Sequence, residues 1–154
     1  MPLRKRPFPA SYEGVSISAL NIFPPITTSK LSNIEIIGCQ PEASAVMAHS
    51  IESGRIVEVK SGPTLSDGTA GGIEKDAITF DLCKYLVDYY ALISEQEIIE
   101  NIQTFLDTHR MLIEGAAGVA LAGFLANKEK YVGKKVVVVV CGGNIARKTL
   151  ASII

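Results

Sequence analysis

The stretch "KKVVVVVCGGN" at residues 134–144 decides how this chain of 154 residues is expected to fold. Its five consecutive valines, residues 136–140, predict a strand that is buried on both faces, because a half-exposed strand would alternate apolar and polar residues. We expect this to be the central strand of a sheet. A thiol, two glycines and an asparagine follow at residues 141–144. They are therefore expected at the strand's carboxyl end, where ligands of open α/β sheets bind.

Working outward from this stretch, short apolar runs alternate with longer helical patterns from residue 33 onward. Further strands are predicted at 34–39, 55–59 and 89–93, and helices at 41–53, 76–86, 94–106, 115–131 and 145–153. Strands that alternate with helices of this length are typical of a parallel sheet. We expect an α/β fold of three layers, with a mostly parallel sheet and helices on both faces.

Three helix starts carry a specific capping prediction. Asp76 is a candidate cap for the helix at 76–86, and Asn144 for the short final helix. Ser94 and Glu97 have the spacing of a capping box, in which side chain and backbone satisfy each other's hydrogen bonds.

The composition points to a globular protein in a reducing compartment. The chain is 47% hydrophobic and 20% charged, with a formal net charge of −1, which gives no indication of a nucleic-acid or membrane partner. Its three cysteines are too scattered for a disulfide framework or a zinc cluster, so we expect no metal and a cytoplasmic location. No apolar run reaches transmembrane length.

The first 32 residues form an atypical segment that we expect to be loop or partly disordered. They contain five of the seven prolines and no helical or alternating period. The regular pattern occupies residues 33–154, which we treat as the one structured domain.

Three motifs carry candidate functional residues, and each also has a purely structural explanation. The loop "SDGTAGG" at 66–72 could be an ordinary surface loop, and Glu114 in "MLIEGAAG" could simply favour the positive end of a helix. The turn "CGGN" could be a tight strand-to-helix turn or a seat for a flat cofactor ring. A dinucleotide site is excluded, because it needs separated glycines and a later acidic residue.

Taken together and in order, these motifs resemble the C-terminal part of the threonine/serine dehydratase family. These are fold type II pyridoxal-phosphate enzymes, related to serine racemase and the tryptophan synthase β chain. The matching stretches are "SNIEIIGCQPEASAVMAHSIESGRIVEVKSGPTLSDGTAGG", "MLIEGAAGVALAGFL" and "VVVVVCGGN". The resemblance covers residues 33 to about 150.

The resemblance implies a cofactor, a reaction and a set of site residues. Cys141 matches the neutral residue that faces the pyridoxal ring nitrogen, and such a partner leaves the ring a weaker electron sink that suits β-elimination. Gly142, Gly143 and Gly68 match positions around the ring, and Glu114 matches an acidic residue near cofactor and substrate. The implied reaction converts a hydroxy amino acid, threonine or serine, into a 2-oxo acid and ammonia.

The chain also departs from the family pattern. The family's S-x-K-x-R-G motif, which contains the Schiff-base lysine, and its G-G-G-G-L phosphate loop are absent from the sequence, and Ser29-Lys30 is not followed by Arg-Gly. Gln40 is neutral, and Ala45-Val46 stand where the serine racemase branch has a metal-binding carboxylate. We therefore expect a truncated chain that is inactive alone. The alternative is a non-catalytic interaction or regulatory module that pairs with a full-length relative, as a homo- or hetero-oligomer.

Overall fold

The computed structural model describes residues 34–154, which form two strands and five α-helices. In chain order these are β1 (Ile37–Pro41), α1 (Val46–Ser53), α2 (Ile78–Leu86), β2 (Tyr89–Ile93), α3 (Glu95–His109), α4 (Gly115–Leu125) and α5 (Arg147–Ile153). Three short 3-10 turns lie at Glu42–Ser44, Asp67–Thr69 and Lys128–Tyr131. The expected atypical segment 1–32, with Ser29 and Lys30, lies outside the described residues.

The two strands are parallel, which confirms the expected sheet type. Ile37 of β1 lies opposite Tyr89 of β2, and Pro41 lies opposite Ile93. The chain passes through α1 and α2 between the strands, as a parallel connection requires. Both strands therefore end at the same edge of the sheet.

Helices cover both faces of this sheet, so the three-layer α/β prediction is confirmed. On one face, Ala91 and Ile93 of β2 pack into a core formed largely by α3 and α4. On the other face, Tyr90 packs against a second core from α1 and α2 that contains Met47 and Phe80. Successive residues of a strand point to opposite faces, which explains why neighbours in β2 join different cores.

Small residues on α4 bring this helix close to both α3 and the sheet. A Cβ on Gly118 would lie 2.9 Å from the Ile102 side chain, and a Cβ on Gly123 would lie 2.5 Å from the Cys39 sulfur. Side chains at either glycine would force the layers apart. Beyond α4, the Tyr131 hydroxyl forms a 2.6 Å hydrogen bond with the Tyr89 hydroxyl of β2.

Two of the predicted strands are not formed within residues 34–154. The valine segment, residues 136–140, has no strand partner in the described part of the chain, and Val137 is 84% exposed. Residues 55–59 are likewise irregular. An apolar run indicates only that a segment favours burial. It becomes a β-strand only where the backbone of a second segment forms hydrogen bonds with it.

Two of the capping predictions are wrong and one is confirmed. α2 begins after Ala77 and α5 after Ala146, so neither Asp76 nor Asn144 is the cap residue. The capping box at the start of α3 is present: Ser94 accepts from the Glu97 N–H, and Glu97 accepts from the Ser94 N–H.

Replacing Ser94 by alanine is expected to lower the free energy of unfolding by about 1 kcal/mol, because the Glu97 N–H loses its acceptor. Urea denaturation at pH 7 measures the change, with Glu97→Gln as the control that keeps a capping-box residue. Hydrogen bonds from Ser94 lower the pKa of Glu97. The carboxylate's contribution is therefore present at neutral pH and lost as pH falls through that pKa. Equal stability of Ser94→Ala and the parent chain would contradict the capping role.

Candidate functional site

The segment 141–144 is bound to the start of α4 through Glu114. The Glu114 N–H donates to the Gly142 carbonyl at 3.0 Å. The Glu114 carboxylate accepts from the Asn144 N–H at 3.1 Å through Oε2. Glu114 is also the residue that precedes the first turn of α4. One residue thus holds the turn by its backbone and by its side chain.

The two adjacent glycines are explained by how closely this contact brings the chains. A Cβ on Gly142 would overlap the Glu114 carboxylate, and a Cβ on Gly143 would lie 2.8 Å from the Leu112 carbonyl oxygen. A larger residue at 143 would have to displace the Leu112 backbone, and one at 142 would have to displace the Glu114 side chain. The bare backbone at 142–143 therefore allows both contacts to form.

The loop containing Gly68 reaches the same end of α4. A Cβ on Gly115 would overlap the Leu65 carbonyl, so the backbone of the loop lies directly on the first residue of the helix. Glu95, at the start of α3, accepts from the Leu65 N–H at 2.8 Å. Ser66 is fully buried and bonds to Thr69 at 2.6 Å. Gly68 itself is exposed, with open space where a side chain would be.

The start of α4 therefore gathers all the site residues that the sequence singles out. Glu114 contacts the turn that holds Cys141, Gly142 and Gly143, and Gly115 contacts the loop that holds Gly68. Sequence reasoning missed Leu65, Leu112 and Glu95, which position these groups. Leu65 and Leu112 act through backbone carbonyls, which no side-chain motif reveals.

The Cys141 sulfur lies at the surface, in contrast to the other two cysteines. Cys83 is buried and Cys39 is half-buried, and burial raises the pKa of Cys39 to about 11. The pKa of Cys141 is raised by partial burial and then by the negative charge of Glu114. Cys141 is therefore a neutral thiol at pH 7, able to donate or accept a weak hydrogen bond.

A concave region lies beside the loop and is lined in part by residues 69–74. It is a cavity of about 320 Å³ lined by Gln40, Val46, Met47, Gly71, Gly72 and neighbouring residues. The Gln40 Oε1 accepts from the Ala48 N–H at 2.8 Å, so this side chain supports the start of α1.

Across residues 34–154, no group of three His, Cys, Asp or Glu is placed to hold a metal ion. In the same range no helix has the length and apolar character to cross a membrane.

Comparison with known proteins gives a consistent set of relatives. A family model described as "Pyridoxal-phosphate dependent enzyme" matches residues 26–142. An L-threonine ammonia-lyase of Thermotoga maritima is 36% identical over 132 residues, covering 86% of this chain and 30% of the relative. The L-threo-3-hydroxyaspartate ammonia-lyase of Saccharomyces cerevisiae is 32% identical over 120 residues, covering 78% of this chain and 36% of the relative. The chain thus spans about a third of these curated relatives.

Solved structures agree with these matches. The processed form of threonine deaminase isoform 2 from Solanum lycopersicum aligns with a TM-score of 0.74 and 29% identity, covering 82% of this chain and 37% of that one. Maize serine racemase aligns with a TM-score of 0.70 at 22% identity, covering 81% of this chain and 39% of that one, which shows a shared fold. The neighbours are fold type II enzymes, and their fold agrees with the parallel α/β arrangement.

Replacing Gly115 by alanine is expected to destabilise the chain by roughly 1–3 kcal/mol, because the methyl group collides with the Leu65 backbone. Urea denaturation measures the loss, and limited proteolysis tests whether residues 64–69 become accessible. Gly72→Ala is the matched control, since nothing lies within 4 Å of its Cβ position. A Gly115→Ala chain as stable and as protease-resistant as the control would show that the loop does not rest on α4.

Proposed function

Because this chain belongs to the pyridoxal-phosphate dependent enzyme family, we propose that it carries the ring-nitrogen side of a threonine/serine dehydratase-type site. The observation that supports this most is the gathering of Glu114, the 141–143 turn and the Gly68 loop at the start of α4. These positions match residues that surround one cofactor in the family that the sequence resembles.

The residues present fit one edge of pyridoxal phosphate. Cys141 offers an exposed neutral thiol, which can meet the ring nitrogen without delivering a proton to it. Gly68 leaves open space where a side chain would otherwise stand. The phosphate edge has no counterpart in the sequence, because the G-G-G-G-L loop that would supply backbone N–H groups is absent from these 154 residues.

When bound, pyridoxal phosphate supplies the electron withdrawal that lets a hydroxy amino acid lose its α-proton and its hydroxyl group. This chain's own part is to hold the ring edge through Cys141 and to place the Glu114 carboxylate nearby. A lysine normally accepts the α-proton in such sites, and the S-x-K-x-R-G motif that contains it is absent from the 154 residues. We therefore propose that the chain by itself does not catalyse the elimination.

Purified chain mixed with pyridoxal phosphate and L-threonine is expected to release no 2-oxobutanoate above the rate of free cofactor. Coupling to lactate dehydrogenase and following NADH absorbance measures the product. The L-threonine ammonia-lyase of Thermotoga maritima serves as the positive control. Steady turnover by the chain would overturn the proposal of inactivity.

Borohydride reduction of a separate, threonine-free sample of chain and pyridoxal phosphate separates two ways in which the proposal could fail. Turnover in the assay, together with reduced cofactor found on Lys30 of the separate sample by peptide mass spectrometry, would assign the lysine role to that residue. Turnover that survives Lys30→Ala would place the missing amine elsewhere.

A second candidate function is a non-catalytic module that pairs with a full-length relative, and one observation favours it. Val136, Val137 and Val140 are 42%, 84% and 46% exposed. These three valines offer apolar side chains to a partner strand, and none of the five pairs with another strand among residues 34–154. Its partner would be a threonine ammonia-lyase of the same organism that supplies a strand to the valine segment.

Replacing Val137 by aspartate is expected to abolish copurification of the tagged chain with that full-length relative, because a charge would be buried in the new sheet. Affinity purification after coexpression, with both bands quantified, measures the loss. Val132→Asp is the control, since Val132 is 77% exposed but lies outside the valine segment. A wild-type chain that remains a monomer and retains no relative would contradict the pairing function.

A further inference from the structure

Glu114 holds the turn at 141–144 at two points, and we call this pair of hydrogen bonds the clasp. The Glu114 N–H holds the Gly142 carbonyl, and the carboxylate holds the Asn144 N–H, so the two bonds fall on either side of Gly143. The side chain crosses the Cα of Gly142, where any Cβ would overlap it. Bonds at two points and a steric contact between them fix both the position and the direction of the turn.

This clasp also fixes the residue that immediately precedes it. Cys141 is bonded to Gly142, whose carbonyl is held in place, so the Cα of Cys141, from which the thiol projects, is kept close to Glu114. Among residues 34–154, Glu114 is the one ionisable group whose charge acts on this thiol. The carboxylate therefore has two effects on Cys141: it holds the thiol in place mechanically, and its negative charge opposes thiolate formation.

We propose that Glu114 is a positioning residue, whose carboxylate clasps the 141–144 turn and thereby presents Cys141 as a fixed, neutral thiol. The inference deepens the proposed function, on which its relevance to the cofactor rests. It gives this glutamate a role that needs no contact with substrate. It also assigns Gly142 a specific purpose, which is to leave room for the carboxylate.

The rate at which iodoacetamide alkylates Cys141, measured across pH, separates the two effects. The plateau rate at high pH reports how freely the ionised thiol is reached, and the midpoint reports how easily it ionises. Peptide mass spectrometry assigns the label to Cys141, so the buried Cys83 and half-buried Cys39 do not interfere. No cofactor is required for this readout.

Three variants of the full chain give distinct expected results. Glu114→Gln keeps an acceptor for the Asn144 N–H but loses the charge, so the midpoint moves to lower pH with an unchanged plateau. At pH 8 its alkylation is expected to be roughly two- to fivefold faster. Glu114→Ala loses the charge and the carboxylate's bond to the Asn144 N–H but keeps the backbone bond to Gly142, so both midpoint and plateau change. Gly142→Ala displaces the carboxylate while keeping its charge, so the plateau rises about twofold or more.

Glu129→Gln is the matched control, because Glu129 is an exposed carboxylate in the 3-10 turn that follows the opposite end of α4. It is expected to leave both parameters unchanged. Urea denaturation of each variant confirms that alkylation is measured on folded chain. If Glu114→Ala and Gly142→Ala reduce stability alone and leave the plateau unchanged, or if Glu114→Gln leaves the midpoint unchanged, the positioning role is overturned.

Adding pyridoxal phosphate to the wild-type chain tests the proposed function separately. Slower alkylation of Cys141 in its presence supports a cofactor that covers the thiol. Unchanged alkylation over a full titration argues against the cofactor seat but leaves the clasp intact, because the variant series does not depend on the cofactor. The two proposals therefore fail in different experiments.

Discussion

The close approach of two chain segments to the first residues of α4 is the constraint on which the rest of the site depends. Gly115 allows the Leu65 backbone to lie on the helix start, and Gly142 allows the Glu114 carboxylate to lie on the turn. A Cβ on Gly115 would displace the Leu65 backbone, and a Cβ on Gly142 would displace the Glu114 carboxylate. The geometry of the site therefore depends on Gly115 and Gly142, two positions that have no side chain.

Elements that depend on residues close together in the sequence could be predicted from it. Elements that depend on pairing with a distant segment could not. β2 and the capping box at Ser94 follow from residues that are neighbours in sequence, and both are present. The valine segment has a stronger strand pattern than β2, yet it is unpaired in the part of the chain that the structure describes. Strand pairing is a property of two segments, so one apolar run cannot establish it.

In the candidate site, too, some residues could be predicted from the sequence and others could not. Glu114, Cys141 and the glycines could be named from their motifs and their resemblance to a family. We expected them to meet because loops converge at the carboxyl ends of parallel strands, but the valine segment before Cys141 is not a paired strand within residues 34–154. The contacts of Leu65 and Leu112 could not be foreseen, because a backbone carbonyl is the same in every residue. The reason for Gly142 became apparent only with the Glu114 contact.

The bond between the Tyr131 and Tyr89 hydroxyls has a mechanical consequence for α4. Tyr131 lies beyond the tail of the helix and is tied to β2, while the head is blocked by the Leu65 backbone. Movement of α4 along its own axis would therefore have to break the bond between the tyrosine hydroxyls or displace the Leu65 backbone.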